Sequence, residues 1–199
     1  MPLLGGEMIR LFRNAAFGAA IVCLAAMPAL ADDSPGALAR KAEEAAAAGR
    51  TVEALDLAEL FNDAVWDAAP LAFRRAELVD NAPAAFGEAS PRASNVYGAD
   101  EEIRIYAEPV AFGWRRTGGG FETDMVADVR VSTDEGRIVV GQKAISTLRI
   151  AAESRNTGVF ATFAYTFRGL KPGDYVVTTT LNDQVSGKSA AFALPIRIE

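Results

Sequence analysis

Gly169–Ile198, GLKPGDYVVTTTLNDQVSGKSAAFALPIRI, reads as two β-strands joined by a polar turn, and the rest of the chain has to fit it. Tyr175, Val177, Thr179 and Leu181 fall on one face of an extended segment, with Val176, Thr178, Thr180 and Asn182 on the other. β-Branched residues at this density suit a pleated, half-buried surface. After the turn, Ala190, Phe192, Leu194, Ile196 and Ile198 form an apolar row of period two. Pro195 faces away from that row and has no N–H to donate, which predicts that the last strand lies at a sheet edge at that point.

Upstream, short strands recur between turn signals. Glu102–Val110 sets Ile103 and Ile105 against Arg104 and Tyr106, and Thr123–Ser132 sets Ala127, Val129 and Val131 against Asp128 and Arg130. Arg137–Gln142 and Ile145–Glu153 follow as separate strands, then a segment with Val159, Ala161, Phe163, Tyr165 and Phe167 on one face. Regular short strands with turns between them favour an antiparallel sandwich over a parallel sheet. The reading gives seven strands, or eight if Leu71–Val79 joins; that stretch fits a short helix equally well.

Leu170-Lys171-Pro172-Gly173-Asp174-Tyr175 has the spacing L-x-P-G-x-Y. This resembles the tyrosine corner of immunoglobulin-like and fibronectin-type-III-like sandwiches, in which the phenol folds back onto backbone a few residues upstream. The resemblance covers about the last hundred residues. It implies a fold, with Leu170, Pro172, Gly173 and Tyr175 in structural roles, and no function.

The N-terminus carries an address. Arg10 and Arg13 form a basic region, Ala15–Met27 is apolar and uncharged, and Ala29-Leu30-Ala31 supplies an A-x-A cleavage site. Residues 1–31 are therefore expected to be a secretory signal peptide, too short for a membrane span, with Met8 as an alternative start. Cys23, the only cysteine, sits inside the apolar run behind Ile21 and Val22, which does not suit lipidation. Cleavage takes the basic count from 20 to 18 and the acidic count from 26 to 25, leaving a net charge of −7. An acidic surface repels nucleic acid and anionic membrane, so neither is an expected partner.

Residues 32–70 read as a helical hairpin. Ser34-Pro35 opens the first helix, Gly49 suits the position past its end, and Thr51 is placed to cap the second, which runs to Pro70. Gly49 with Ala54 five residues on and Pro70 at the end is similar to one tetratricopeptide unit. It is longer by about a turn and has no second copy, and helical repeats need several stacked units. A lone docked hairpin is the expectation. Residues 71–100 form a connector rich in Ala, Pro, Ser and Gly, and residues 101–199 the immunoglobulin-like sandwich.

The residue types exclude much chemistry. Without histidine, and with no cysteine after cleavage, the chain cannot build a usual zinc site, a cysteine nucleophile or a Ser-His-Asp triad. Gly187-Lys188-Ser189 imitates the tail of a phosphate-binding loop, but Asn182 stands where the first glycine belongs. No cofactor is expected. One segment has the composition of a binding surface: Phe112, Trp114, Arg115, Arg116 and Phe121, with glycines at 118–120. The whole is read as an exported, non-catalytic accessory or binding module of the bacterial envelope, periplasmic or secreted, with another envelope protein or a glycan as partner. Its arrangement is similar to that of secreted bacterial proteins without assigned activity. The alternative is a carbohydrate-active enzyme or glycan-binding domain using paired carboxylates and the Trp114 loop.

Overall fold

The structure, a computed structural model, describes residues 34–199. The expected signal segment, its cleavage site and Cys23 lie outside the described residues. Two helices, α1 (Pro35–Ala47) and α2 (Thr51–Ala68), precede nine strands: β1 (Ala72–Val79), β2 (Val96–Tyr97), β3 (Ile103–Val110), β4 (Arg115–Thr117), β5 (Gly120–Thr133), β6 (Ile138–Ala152), β7 (Ala161–Tyr165), β8 (Gly173–Asp183) and β9 (Ser189–Ile198). The fold is mainly β with a small N-terminal helical part.

The helices start and stop on local chemistry. The Ser34 hydroxyl accepts from the Ala37 N–H at 3.4 Å, with Pro35 in the first turn. Gly49 adopts φ 72°, and the Arg50 N–H bonds to Ala45 O at 2.9 Å and the Gly49 N–H to Ala46 O at 3.0 Å. That pair of bonds is the Schellman arrangement, which satisfies carbonyls otherwise orphaned at a helix end. Thr51 does not cap α2. It is the first helical residue, Arg50 holds the cap position without a side-chain bond, and an Arg50–Glu53 ion pair at 2.7 Å spans the first turn.

Strands β1-β3-β7 form one sheet, and β2-β9-β8-β5-β4, with β6 on the far edge of β5, form the other. Neighbours are antiparallel except β2, which runs parallel to β9. Ile103, Ile105, Phe163 and Tyr165 of the first sheet share one core with Met125, Val129, Val131, Val177, Leu181 and Ile196 of the second. The period-two rows of the sequence are the inward faces. β1 and β9 close one side of this sandwich, where Phe73 and Phe192 meet edge to face at 4.8 Å. On the opposite side β6 and β7 are both edge strands.

All of Leu71–Val79 but its first residue resolves as strand. Its helix-forming composition yields to backbone pairing with β3 at seven positions, with an irregularity between Phe73 and Arg75, a tertiary override of local preference. A second strand, β2, also arises within the stretch read as connector. Arg137–Gln142 and Ile145–Glu153 are not two strands but one, β6, interrupted by a bulge. Ala127 pairs with Ser146 and Val129 with Gln142, so Lys143, Ala144 and Ile145 face the single residue Asp128. Ala144 takes φ 53° there, and its N–H is held by Asp128 Oδ1 at 2.8 Å.

Pro195 sits where the sequence places it. The Arg197 and Glu199 N–H groups bond to Asn95 O and Tyr97 O, so donors of this parity point to the outer edge of β9. Pro195 shares that parity and lies just before β2 takes up the edge. The Tyr175 hydroxyl, on a side chain 9% exposed, donates to Lys171 O at 2.8 Å. Leu170 packs partly buried against the core.

Candidate functional site

The segment singled out by composition is built as a β4–β5 hairpin beside the docked helices. Phe112 has no exposed surface; its ring meets Trp66 of α2 edge to face at 5.1 Å and its carbonyl accepts the Trp66 indole N–H at 2.7 Å. Phe112 is thus a packing residue with nothing to offer a ligand. Trp114 lies half-buried, 5.5 Å from Phe112. Its indole nitrogen is buried without a hydrogen-bond partner among the described residues. Arg115 is exposed but ion-paired to Glu122 at 2.7 Å, and exposed Arg116 stacks over the Phe121 ring at 4.9 Å. The hairpin therefore brings Arg116 and Phe121 together and neutralises Arg115 within itself.

This end of the molecule is tied together by polar bonds. Asp183, buried at the end of β8, accepts from the Gly113 N–H at 2.6 Å, the Val185 N–H at 2.9 Å and the Ser186 hydroxyl. Lys188 donates to Ala111 O at 2.9 Å and Asp67 O at 3.0 Å, so one ammonium caps the C-terminus of α2 and a loop carbonyl together. Arg155 adds ion pairs to Asp67 at 2.6 Å and Asp63 at 3.3 Å.

The two buried carboxylates of the described residues are both engaged internally: Asp183 as above, and Glu108 by the Tyr106 hydroxyl at 2.8 Å. Burial, assisted by that carboxylate, raises the Tyr106 pKa, which keeps the phenol protonated as the donor. No group of three or more acidic or cysteine side chains placed to hold a metal occurs among the described residues. No described helix is long and apolar enough to cross a membrane.

A different surface carries free functional groups. On the outer face of the larger sheet, Arg130, Gln142, Lys143, Thr178 and Thr180 line an open trough of about 420 Å3, with Ile138 at its rim. Register makes the trough: Arg130 pairs across to Gly141 on one side and Thr178 on the other. A side chain at 141 would fill the space, yet a Cβ there meets only Ile138, at 4.0 Å. Arg130 and Lys143 are exposed and make no ion pair among the described residues. Asp128 shares the trough, but its oxygens hold the Ala144 N–H and the Asn182 amide, the latter at 3.1 Å. A second opening of about 370 Å3 lies on the inner side of β6, where Ile145 faces Phe163, Tyr165 and Phe167 across the gap between the sheets.

No family profile matches the chain, and no curated protein matches it by sequence. Solved structures match only loosely. The alkylpurine DNA glycosylase AlkC of Pseudomonas fluorescens, bound to DNA containing an abasic site analogue, aligns at 11% identity and TM-score 0.37 over 75% of this chain and 33% of that one. The alignment thus spans a third of the glycosylase. The superoxide reductase (neelaredoxin) of Ignicoccus hospitalis gives 12% identity and TM-score 0.33, over 64% and 82% of the two chains. The CARDB domain of the PF1109 protein of Pyrococcus furiosus, in complex with di-metal ions, gives 12% and 0.30 over 65% and 90%. At these values the likenesses carry no argument about activity.

Sequence reasoning passed over Arg130, Gly141 and Lys143 because register, not spacing, unites them. One signal was readable: residues 137–152, RIVVGQKAISTLRIAA, hold three cations and no acid in an acidic chain.

Proposed function

We propose that the protein is an exported, non-catalytic binding module of the bacterial cell envelope, an immunoglobulin-like sandwich that meets its partner through the outer face of the larger sheet. The observation that carries this reading is the pair of exposed cations, Arg130 and Lys143, without an ion-pair partner among the described residues, over an open trough in an otherwise acidic protein. Charges of one sign gathered against the net charge steer a complementary partner and fix its register.

The immunoglobulin-like assignment rests on topology and on one bond. β1-β3-β7 packed against β9-β8-β5-β6, with β2 running along β9, fits the layout of such sandwiches. The Tyr175 hydroxyl bonding to Lys171 O, four residues upstream, fits a tyrosine corner. The helical hairpin, similar to a single tetratricopeptide unit, serves here as a docked cover. Non-catalytic action is supported by the way both buried carboxylates are held by donors within the protein.

The test has two arms. Native protein from the producing cell has an intact mass starting at Asp32, and the wild-type protein sediments with isolated envelopes. The double variant Arg130→Glu with Lys143→Glu leaves the thermal melt unchanged and stays in the supernatant. Retention of Met1 or Met8 refutes export by this route, and undiminished sedimentation of the double variant refutes the assigned surface.

A further inference from the structure

Strand β6 is an edge with an opening on each side of it. Among the described residues it pairs only with β5, which leaves its outer backbone groups without a strand partner there along most of 15 residues. On the outward face lies the cationic trough; on the inward face lies the gap lined by Ile145, Phe163, Tyr165 and Phe167. Val129 and Gln142 line both openings, which places the two back to back across the sheet.

We propose that β6 accepts an extended peptide segment of a partner protein, with acidic and apolar residues alternating, which adds to the larger sheet as a further strand. This rests on the surface assigned above and names its occupant. A strand laid along β6 projects successive side chains to opposite faces. Those on one face reach the trough, where Gly141 contributes no side chain between Arg130 and the new strand about two strand spacings away. Carboxylates in those positions answer Arg130 and Lys143. Those on the other face enter the gap between the sheets and cover Phe163, Tyr165 and Phe167. Backbone pairing supplies affinity and the alternating side chains supply selectivity, as in other strand-addition complexes.

Charge decides against a second copy of this chain as the occupant. β6 itself carries Lys143 and Arg149 and no acid, so pairing β6 with itself brings two cationic strands together and supplies no carboxylate for Lys143 or Arg130. Of the two, Arg149 is already neutralised, by Asp124 at 2.6 Å.

The experiment uses a fluorescent decapeptide of alternating valine and glutamate, with valine–glutamine and valine–lysine counterparts, and an oligogalacturonate as competitor. Anisotropy with the full chain is expected to rank glutamate at least tenfold above glutamine and to detect no lysine peptide binding. Gly141→Val, whose Cβ meets nothing nearer than Ile138 at 4.0 Å and which fills the trough, and Arg130→Glu with Lys143→Glu each weaken binding at least tenfold while the melt is unchanged. Hydrogen exchange then slows at β6 amides when the glutamate peptide binds. Equal binding of the three peptides, or β6 amides that do not respond, overturns strand addition. Oligogalacturonate binding without peptide binding overturns it too, yet leaves the binding module standing. A concentration-dependent dimer abolished by the double charge reversal would replace the peptide by a second copy.

Discussion

Replacing Trp66 by alanine releases the helical hairpin and leaves the sandwich folded. Trp66 is the one buried residue of α2, and it joins the helices to the sheets through its ring contact with Phe112 and its indole bond to Phe112 O. Truncating a buried tryptophan costs about 3–5 kcal/mol. Trp66→Phe keeps an edge-to-face partner and loses the bond, a cost of about 1–2 kcal/mol. Because 1.4 kcal/mol is tenfold, the alanine variant shifts docking by roughly two to three and a half orders of magnitude. Lys188 and Arg155 still reach the C-terminal turn of α2, but both act at its exposed end. Hydrogen exchange read by peptide mass separates the outcomes. Amides of α1 and α2 lose protection in Trp66→Ala, those of β5 and β8 keep it, and Trp66→Phe lies between. Equal loss of protection in β5 and β8 would show that the hairpin is part of one cooperative unit and refute the reasoning.

Tyr175→Phe loses only the bond to Lys171 O and is expected to cost about 1 kcal/mol in denaturant melts, against 3 kcal/mol or more for Tyr175→Ala. Burial holds the Tyr165 phenol protonated, with a pKa pushed up to about 12 from 10.0. The folded state therefore keeps a proton that the unfolded state gives up, so this contribution is full below pH 10 and falls between pH 10 and 12, by up to about 2–3 kcal/mol; Tyr165→Phe makes that fall shallower without removing it, because burial raises Tyr97 and Tyr106 as well. Gly120 has φ 131° and a Cβ there runs into the Ala152 carbonyl oxygen, so Gly120→Ala lowers stability by on the order of 2 kcal/mol, while Gly141→Ala is neutral within about 0.5 kcal/mol.

The larger sheet was legible in the sequence wherever one face is buried and the other wet. β5, β8 and β9 announce themselves by period two, and Pro195 even marks the parity of the edge donors. β1 was ambiguous because Ala, Arg, Glu and Leu favour a helix, and only pairing with β3 makes it a strand. The bulge in β6 was invisible because Ala144, unlike glycine, gives no hint of a positive φ. In the candidate hairpin, composition pointed to Arg115 and Arg116, which are exposed, but could not see that Glu122 and Phe121 engage them, or that Phe112 lies under Trp66. The trough was hidden for a different reason: Arg130, Gly141 and Thr178 become neighbours only once three strands are in register.

A photo-crosslinking residue placed at Ile138, exposed beside the trough, in the producing cell tests the central claim most directly, with the same residue at Gly118 of the β4–β5 turn as the comparison. Position 138 leaves the space over Gly141 open, and a Cβ at 118 meets no other atom within 4 Å. The account predicts a discrete adduct from position 138 that disappears when Arg130 and Lys143 are reversed to glutamate, and none from position 118. An adduct from 118 alone, or one from 138 that survives the charge reversal, would contradict it.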